Sequence, residues 1–174
     1  MRIYYFVFTL LILMTMACSN PDPNTTKAGE DELKSLELNR ALSEKDKRFE
    51  YVIYVPIYSD IYLDRTNQRS LLSATLSIRN TSFSDSLFIP TVDYYNTEGH
   101  LVRNYIEQPI VLSPMATVNY VIEKEDTSGG PGANFIVKLY SDNEIKPVIQ
   151  AIMIGASGNK GFAFSNDGYL INKK

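Results

Sequence analysis

Most of the chain beyond residue 70 alternates apolar and polar residues with a period of two. The segment LSATLSIRN shows the pattern most clearly, with apolar side chains at every second position. The apolar positions are Leu72, Ala74, Leu76 and Ile78, and the intervening ones are Ser73, Thr75, Ser77 and Arg79. Because successive side chains of a strand point to opposite faces, the segment is predicted to be a strand with one buried face.

Similar segments recur at intervals of about ten residues, which is the spacing expected of a β-sandwich. They are marked by Phe88, Val92 and Tyr94, by Val118, Tyr120 and Ile122, by Phe135, Val137 and Leu139, and by Phe162 and Phe164. The segment PVIQAIMIGA is almost wholly apolar and is predicted to be a central strand. Turn residues at 96–99 and 166–168 predict two hairpins, of which the second would close the domain.

No long helical pattern interrupts this series, so we predict an all-β fold for residues 51–174. The architecture would be an antiparallel β-sandwich, immunoglobulin-like in general form, with about seven to nine strands. The Cys…Trp…Cys pattern of true immunoglobulin domains is absent, because the sequence contains no Trp and a single Cys.

The segment YVIYVPIYSDIY, at the start of this region, places aliphatic and tyrosine side chains at alternating positions. Its β-branched residues and Pro56 favour a strand over a helix, and the proline favours an edge strand. Three tyrosines, Tyr54, Tyr58 and Tyr62, would then share one face. Such a row is either a binding face for a protein or sugar partner, or a set of rings that packs on a neighbouring strand.

The N-terminus has the pattern of an export signal. Arg2 is followed by an apolar run of about a dozen residues, too short to span a bilayer comfortably, and then by Ala17 and Cys18. A small residue before the single cysteine resembles the end of a bacterial lipobox. Residues 1–17 are therefore predicted to be a signal peptide, and Cys18 the lipidated N-terminus that anchors the mature chain in a membrane.

Cys18 has two other interpretations besides lipidation. A plain secretory peptide with an incidental cysteine is one alternative. A reactive thiol is the other, and it is disfavoured because the surrounding stretch offers no cation, partner histidine or helix N-terminus to lower the pKa of the cysteine.

Residues 18–50 are predicted to connect this anchor to the domain. Residues 19–29 consist of turn-forming residues and include no apolar side chain larger than alanine, as in a flexible tether. Residues 30–50 are rich in charge, and their leucines follow helical spacing only in part. This pattern favours a fraying, solvated lead-in over a docking helix.

Composition narrows the function classes. The net charge is −3 and no basic block is present, so nucleic acid is not a predicted partner. A single cysteine cannot form an intramolecular disulfide, so the fold must depend on its apolar core. The sequence contains no cofactor-binding motif, and no cofactor is predicted.

Several stretches together resemble a known family. They are YVPIYSDIY, LSATLSIRNTS, VDYYNTEGHLVR, LSPMAT and DTSGGPGANF. In this order they resemble domain of unknown function 3124, a group of small bacterial envelope proteins, over residues 51–166. The resemblance implies a single exported domain, and it implies no catalytic residue because no activity is assigned to the family.

The loop EKEDTSGGPGANF, residues 123–135, separates two predicted strands. It is not a phosphate-binding P-loop, because a strand follows the glycines and no GK[ST] sequence is present. The candidate residues for ligand or partner binding are Asp126, Thr127, Ser128, Gly129, Gly130 and Asn134. One alternative is a Ca²⁺ site built from Glu123, Glu125, Asp126 and Asn134, whose spacing matches no calcium loop. The other, which we favour, is a long connection whose polar side chains cap backbone groups.

Groups suited to catalysis are few. His100 is the only histidine, so neither a Ser-His-Asp triad nor a histidine-based zinc site is predicted. We expect a lipid-anchored protein of the bacterial cell envelope, with a periplasmic or surface-exposed domain. It would be a non-enzymatic binding or structural module with an envelope protein or a glycan as partner. The alternative, a carboxylate-based hydrolase of envelope glycans, needs carboxylates such as Asp93, Glu123 and Asp126 to converge.

Overall fold

The computed structural model describes residues 33–173. The predicted signal peptide, Cys18 and the predicted tether lie outside the described residues. No helix within residues 33–173 has the length and apolar character needed to cross a membrane.

The described residues form two antiparallel sheets. Their strands are β1 (Phe49–Pro56), β2 (Asp60–Tyr62), β3 (Arg69–Arg79), β4 (Leu87–Tyr95), β5 (Leu101–Asn104), β6 (Ile110–Leu112), β7 (Thr117–Ile122), β8 (Asn134–Ser141), β9 (Val148–Ser157), β10 (Lys160–Asp167) and β11 (Tyr169–Lys173). The first sheet has the order β11-β1-β8-β4-β5, and β6 also pairs with β4. The second has the order β10-β9-β3-β2, and β7 also pairs with β3.

This arrangement confirms the predicted antiparallel β-sandwich. The described residues contain eleven strands, more than the number predicted. The additional ones include β2, β5 and β6, which have only three or four residues each. Strands of that length are too short to display a clear alternation of apolar and polar side chains.

The core lies between the two sheets and is formed by the side chains that the alternation placed inward. Strand β3 contributes Leu72, Ala74, Leu76 and Ile78, each at most 1% exposed. From β8, Phe135, Val137 and Leu139 are completely buried. The predicted central strand β9 does lie between two neighbours, β10 and β3, and buries one of its two faces.

The predicted closing hairpin at residues 166–168 is wrong. Strand β10 pairs with β9 in the second sheet, whereas β11 pairs with β1 in the first, so the chain changes sheets at Gly168. The Gly168 N–H donates to the Ile149 carbonyl at 2.8 Å. A Cβ at this position would lie 2.7 Å from Cγ2 of Ile53, so the crossing requires glycine.

Pro56 does not mark an edge strand, because β1 lies between β11 and β8. Proline is tolerated here for a local reason. The Ile57 N–H donates to the Ala133 carbonyl at 3.0 Å, so the preceding nitrogen faces away from β8. On that side the pairing with β11 has already ended at Tyr54, and no ladder hydrogen bond is lost.

The charged segment before β1 is packed rather than fraying over the part that the structure describes. Leu33 and Leu36 pack against the core, and Glu37 forms a β-bridge with Ile110. Near the end of the segment, Asp46 accepts hydrogen bonds from Arg40 Nη2 at 3.0 Å and from the Ser43 N–H at 2.7 Å. Residues 33–35 are helical, and Leu33 and Leu36, three positions apart, contact the core from this short turn.

Replacing Asp46 with asparagine is expected to lower the free energy of unfolding by about 2 kcal/mol at neutral pH, since it removes charge-assisted hydrogen bonds. The bond from Arg40, and then those from Ser43, hold the pKa of Asp46 well below its usual range despite burial. The carboxylate therefore stabilises the fold above the unfolded-state pKa, and this contribution is lost as the pH falls through the folded-state pKa.

Urea unfolding at neutral and acidic pH measures this contribution. The difference between wild type and Asp46→Asn should shrink as the pH falls below the pKa of a free aspartate. Glu44→Gln, at a neighbouring and almost fully exposed side chain, is the control and should change stability little at either pH. A difference that does not vary with pH would show that the charge of Asp46 is not what stabilises the segment.

Candidate functional site

The three tyrosines of the predicted binding row lie in different environments. Tyr54 in β1 is opposite Tyr169 of β11 on the outer face of the first sheet. The Tyr58 ring packs edge-on against Phe164, with 5.8 Å between centroids. Tyr62 is 52% exposed and lies in β2, after the chain has turned from one sheet to the other. The row is therefore divided, because the predicted single strand is interrupted between β1 and β2.

Tyr62 forms a compact polar unit with Arg69 and Asp60. The guanidinium carbon of Arg69 lies 4.6 Å from the centroid of the Tyr62 ring, and Nη2 donates to the tyrosine hydroxyl at 3.0 Å. Nη1 of Arg69 also contacts the buried carboxylate of Asp60 at 3.3 Å. The pairing of β2 with β3 brings the three side chains together. Arg69 is thereby held over the ring by its contacts with Tyr62 and Asp60.

The glycine-containing loop between β7 and β8 is fixed by side chains from two other parts of the chain. Ser59 Oγ accepts a hydrogen bond from the Gly130 N–H at 2.7 Å. Thr97 Oγ1 donates to the Gly129 carbonyl at 2.9 Å and accepts from the Gly132 N–H at 3.0 Å. Gly130 has φ +75°, a conformation that favours glycine. The loop is a defined structure rather than a loose connection.

Gly129 lies directly over the hydroxyl of Tyr94, a completely buried residue of β4. A Cβ at residue 129 would be only 1.9 Å from that oxygen. The hydroxyl has no hydrogen-bond partner of good geometry. Burial and the nearby charge of Asp126 raise the pKa of Tyr94 to about 12, outweighing the opposing polar influence of Ser59 and Ser128. The phenol is therefore neutral at physiological pH, and its hydroxyl contacts the loop at Gly129.

The start of the loop is held by an ion pair. Arg103 of β5 donates to Asp126 Oδ2 at 3.1 Å and to the hydroxyl of Tyr105 at 3.1 Å. Asp126 also accepts bonds from the N–H and the hydroxyl of Ser128. Partial burial opposes ionisation, but the Ser128 bonds and the Arg103 charge keep the pKa of Asp126 below its usual value. Asp126 is an ionised structural carboxylate that shapes the loop.

Together these contacts form one open pocket of about 240 Å³ at the end of the sandwich. Its lining comprises Tyr62, Arg69, Thr97, Glu98, Thr127, Ser128, Gly129, Gly130 and Pro131. The structure thus places Tyr62 beside four of the six loop residues that the sequence singled out. Asp126 does not line the pocket, and neither does Asn134, which begins β8 opposite Pro56.

Sequence reasoning missed Ser59, Thr97 and Arg69. Each lies far from the loop in sequence, and Ser59 forms its hydrogen bond across 71 positions. A single hydroxyl in a turn or strand carries no local signal of such a contact. Each of the two candidate regions is recognisable from its own composition, whereas their adjacency depends on strand pairing.

The carboxylates that a hydrolase would require do not form a pair. Asp93 is on the outward face of β4, because its neighbours Val92 and Tyr94 are buried inward. Arg103, which holds Asp126, is opposite Tyr94 and hence on the inward side of the strand. Partial burial raises the pKa of Asp93, but β4 itself separates that group from Asp126.

The proposed Ca²⁺ alternative has no geometric support in this loop. Across residues 33–173, no three His, Cys, Asp or Glu side chains lie together in a way that could hold a metal ion. In the loop itself, Asp126 is engaged by Arg103.

Comparison with known proteins gives a family and a distant structural neighbour. The family model DUF3124, described as a protein of unknown function, matches residues 50–171. No curated protein matches the chain. A solved structure described as the crystal structure of Thermotoga maritima 1070 is similar, with a TM-score of 0.41 and 13% identity. The alignment covers 69% of this chain and 91% of that one.

Proposed function

This chain belongs to the DUF3124 family of proteins of unknown function, and we propose that it is a non-enzymatic binding module of the bacterial cell envelope. In this proposal Cys18 carries the lipid that anchors the chain, and the sandwich presents its loop pocket to a glycan of the envelope. The observation that carries the proposal is the convergence of Tyr62 with the loop at residues 127–131 on one pocket.

The lining of the pocket suits a neutral ligand rich in hydroxyl groups. Thr127 supplies a hydroxyl and the loop supplies peptide groups, while the Thr97 and Ser128 hydroxyls, which donate to Gly129 and Asp126, can still accept a hydrogen bond. The charge of Arg69 is offset by the buried Asp60, and Glu98 adds a negative charge at the margin. An anionic ligand would therefore gain little electrostatic binding energy, whereas sugar hydroxyls can donate hydrogen bonds to this lining and accept them from it.

The rigidity of the pocket also favours binding. Ser59, Thr97 and Arg103 hold the loop from three directions, so little conformational entropy would be lost when a ligand is bound. By contrast, the hydrolase alternative would need convergent acids, and Asp93 lies on the opposite side of β4 from the group that holds Asp126.

Replacing Tyr62 with alanine is expected to weaken glycan binding about tenfold, a loss of about 1.4 kcal/mol, because it removes one wall of the pocket and releases Arg69. The measurement is co-sedimentation of the protein with isolated peptidoglycan sacculi at increasing sacculus concentration. Tyr169→Ala is the matched control, since Tyr169 is 61% exposed and lies in β11, outside the pocket.

Equal binding by Tyr62→Ala and Tyr169→Ala would show that the pocket is not the glycan-binding site. Crosslinking and mass spectrometry on intact cells identifies what else the site holds. A protein neighbour that is lost only in Tyr62→Ala, without binding to sacculi, would show that the occupant is a protein rather than a glycan. The same spectra reveal whether the mature chain begins at Cys18 and carries lipid, and an unmodified Cys18 would contradict the anchor.

A further inference from the structure

Strand β10 forms an unusually regular free edge of the second sheet. It pairs with β9 at all eight of its positions without a register shift, and no other described strand pairs with it. The edge of the other sheet differs, because the pairing of β11 with β1 contains a register shift between Val52 and Ile53. Irregular pairing is one of the devices by which proteins prevent edge strands from pairing with other chains.

The hydrogen-bonding groups exposed on this edge can be identified from the ladder. The Gly168 N–H points toward β9, where it donates to Ile149 at 2.8 Å. Since the direction of the backbone groups alternates along a regular strand, even-numbered residues of β10 face β9 and odd-numbered residues face outward. Gly161, Ala163 and Ser165 therefore present their N–H and C=O groups to the open edge.

No charged residue protects the middle of this edge. The strand reads KGFAFSND, so its charges are confined to Lys160 and Asp167 at the two ends, and it contains no proline. Natural edge strands are commonly protected by a central charge, a proline or a bulge. Strand β10 has none of these between residues 161 and 166.

The inward face of β10 also has incompletely covered aromatic rings. Phe162 and Phe164 are nearly parallel, with 6.4 Å between centroids, and both are only partly buried. Tyr58 packs edge-on against Phe164 and extends the aromatic surface. Opposite Phe162, Gly155 leaves room for the ring, since a Cβ there would lie 2.7 Å from it. An added strand would cover these rings.

The sequence of the edge is nearly symmetric about Ala163. Phe162 and Phe164 flank it, and Gly161 and Ser165 lie one position further out. We propose that two copies of this chain pair antiparallel through β10, with a twofold axis at Ala163. Phe162 then lies opposite Phe164 of the second copy, and Gly161 opposite its Ser165, so that side chains sharing a face are apolar or small.

In this register the exposed backbone groups find hydrogen-bond partners, and no charged side chain faces one of the same sign. The outward-facing N–H and C=O groups at residues 161, 163 and 165 meet those of the second copy in reciprocal pairs. Lys160 lies opposite Asn166 of the second copy, and Asp167 opposite Asn159, so no like charges face each other. The result would be a continuous sheet across the two copies, and it does not depend on the ligand of the loop pocket.

Cysteine crosslinking tests both the contact and its register in the full chain carrying Cys18→Ser. The Cα atoms of paired residues 163 would be about 5.5 Å apart, within the range that a disulfide spans. Mild oxidation of Ala163→Cys should give a covalent dimer on a non-reducing gel. Ile152→Cys, an exposed position on the adjacent strand β9, is the control and should remain monomeric.

Mixing two variants tests the register further. Gly161→Cys mixed with Ser165→Cys should crosslink, whereas Gly161→Cys alone should not. A cysteine at 161 fits without strain, since the only atom near its Cβ would be 3.9 Å away. Equal crosslinking at 163 and 152, or none at 163 in a folded chain, would overturn the proposal.

A proline provides a test that does not depend on a disulfide. Ala163→Pro removes an N–H that faces the open edge and leaves the ladder with β9 intact. The expected result is loss of the dimer in sedimentation measurements, with the thermal unfolding transition retained. Ala163→Ser keeps the N–H and should remain dimeric. A wild-type chain that sediments as a monomer at every concentration would also overturn the proposal.

Discussion

Replacing Phe135 with alanine is expected to lower the free energy of unfolding by about 4 kcal/mol. The ring is completely buried, and its centroid lies 5.3 Å from that of Tyr94 and 5.8 Å from that of Tyr105. Truncation removes apolar contacts and leaves a cavity that the two sheets cannot close. Since domains of this size are stable by about 5–15 kcal/mol, this single change removes a large share of the total.

Urea or thermal unfolding measures the effect of Phe135→Ala. Phe83→Ala is the control, because Phe83 is 87% exposed and its loss should change stability by less than about 0.5 kcal/mol. The variant should also weaken binding at the loop pocket, since Phe135 packs against Tyr94, which supports Gly129. A loss no larger than that of Phe83→Ala would show that the sheets repack around the missing ring.

Replacing Gly129 with alanine is expected to destabilise the fold by about 3 kcal/mol, because the added methyl group cannot be accommodated without moving the loop. Its carbon would lie 1.9 Å from the Tyr94 hydroxyl oxygen and 2.8 Å from Cβ of Ala133. The loop must lift, and the hydrogen bonds from Thr97 to Gly129 must break or lengthen. Unfolding and sacculus binding should both be impaired.

The double variant Gly129→Ala/Tyr94→Phe tests this explanation. Removing the hydroxyl eliminates the closest clash but leaves the ring carbon at 2.7 Å, so about 1 kcal/mol of the stability should return. Gly161→Ala is the control, because the nearest atom to the added group would be 3.9 Å away. If Tyr94→Phe brings no recovery, the clash with the hydroxyl is not the cause.

Prediction from the sequence succeeded where the signal was local. The alternation in β3 identified the buried Leu72 and Leu76 correctly, and that in β8 identified Phe135. These properties depend on a residue and its immediate neighbours, so a single sequence contains them.

Prediction failed where the outcome depended on distant segments. The sequence predicts a hairpin at residues 166–168, whereas Gly168 carries the chain from one sheet to the other. Asn-Asp-Gly favours a turn both in a hairpin and in a crossing between sheets. Only packing against Ile53 and Ile149 determines that the crossing forms. The tyrosine row failed for a related reason, since a break in the strand sends Tyr54 and Tyr62 to different sheets.

The sequence by itself determined the all-β class and the inward-facing residues, and it singled out the loop at residues 123–135 as a candidate site. The tertiary structure decided which strands are neighbours, and therefore that Tyr62, Arg69 and Thr97 border that loop. It also decided that, among the described strands, β10 lies at the edge of its sheet beside β9 alone, a property that its own residues do not reveal. The physical reason is that side-chain alternation is encoded within each strand, whereas strand order follows from the burial of all the inward faces together.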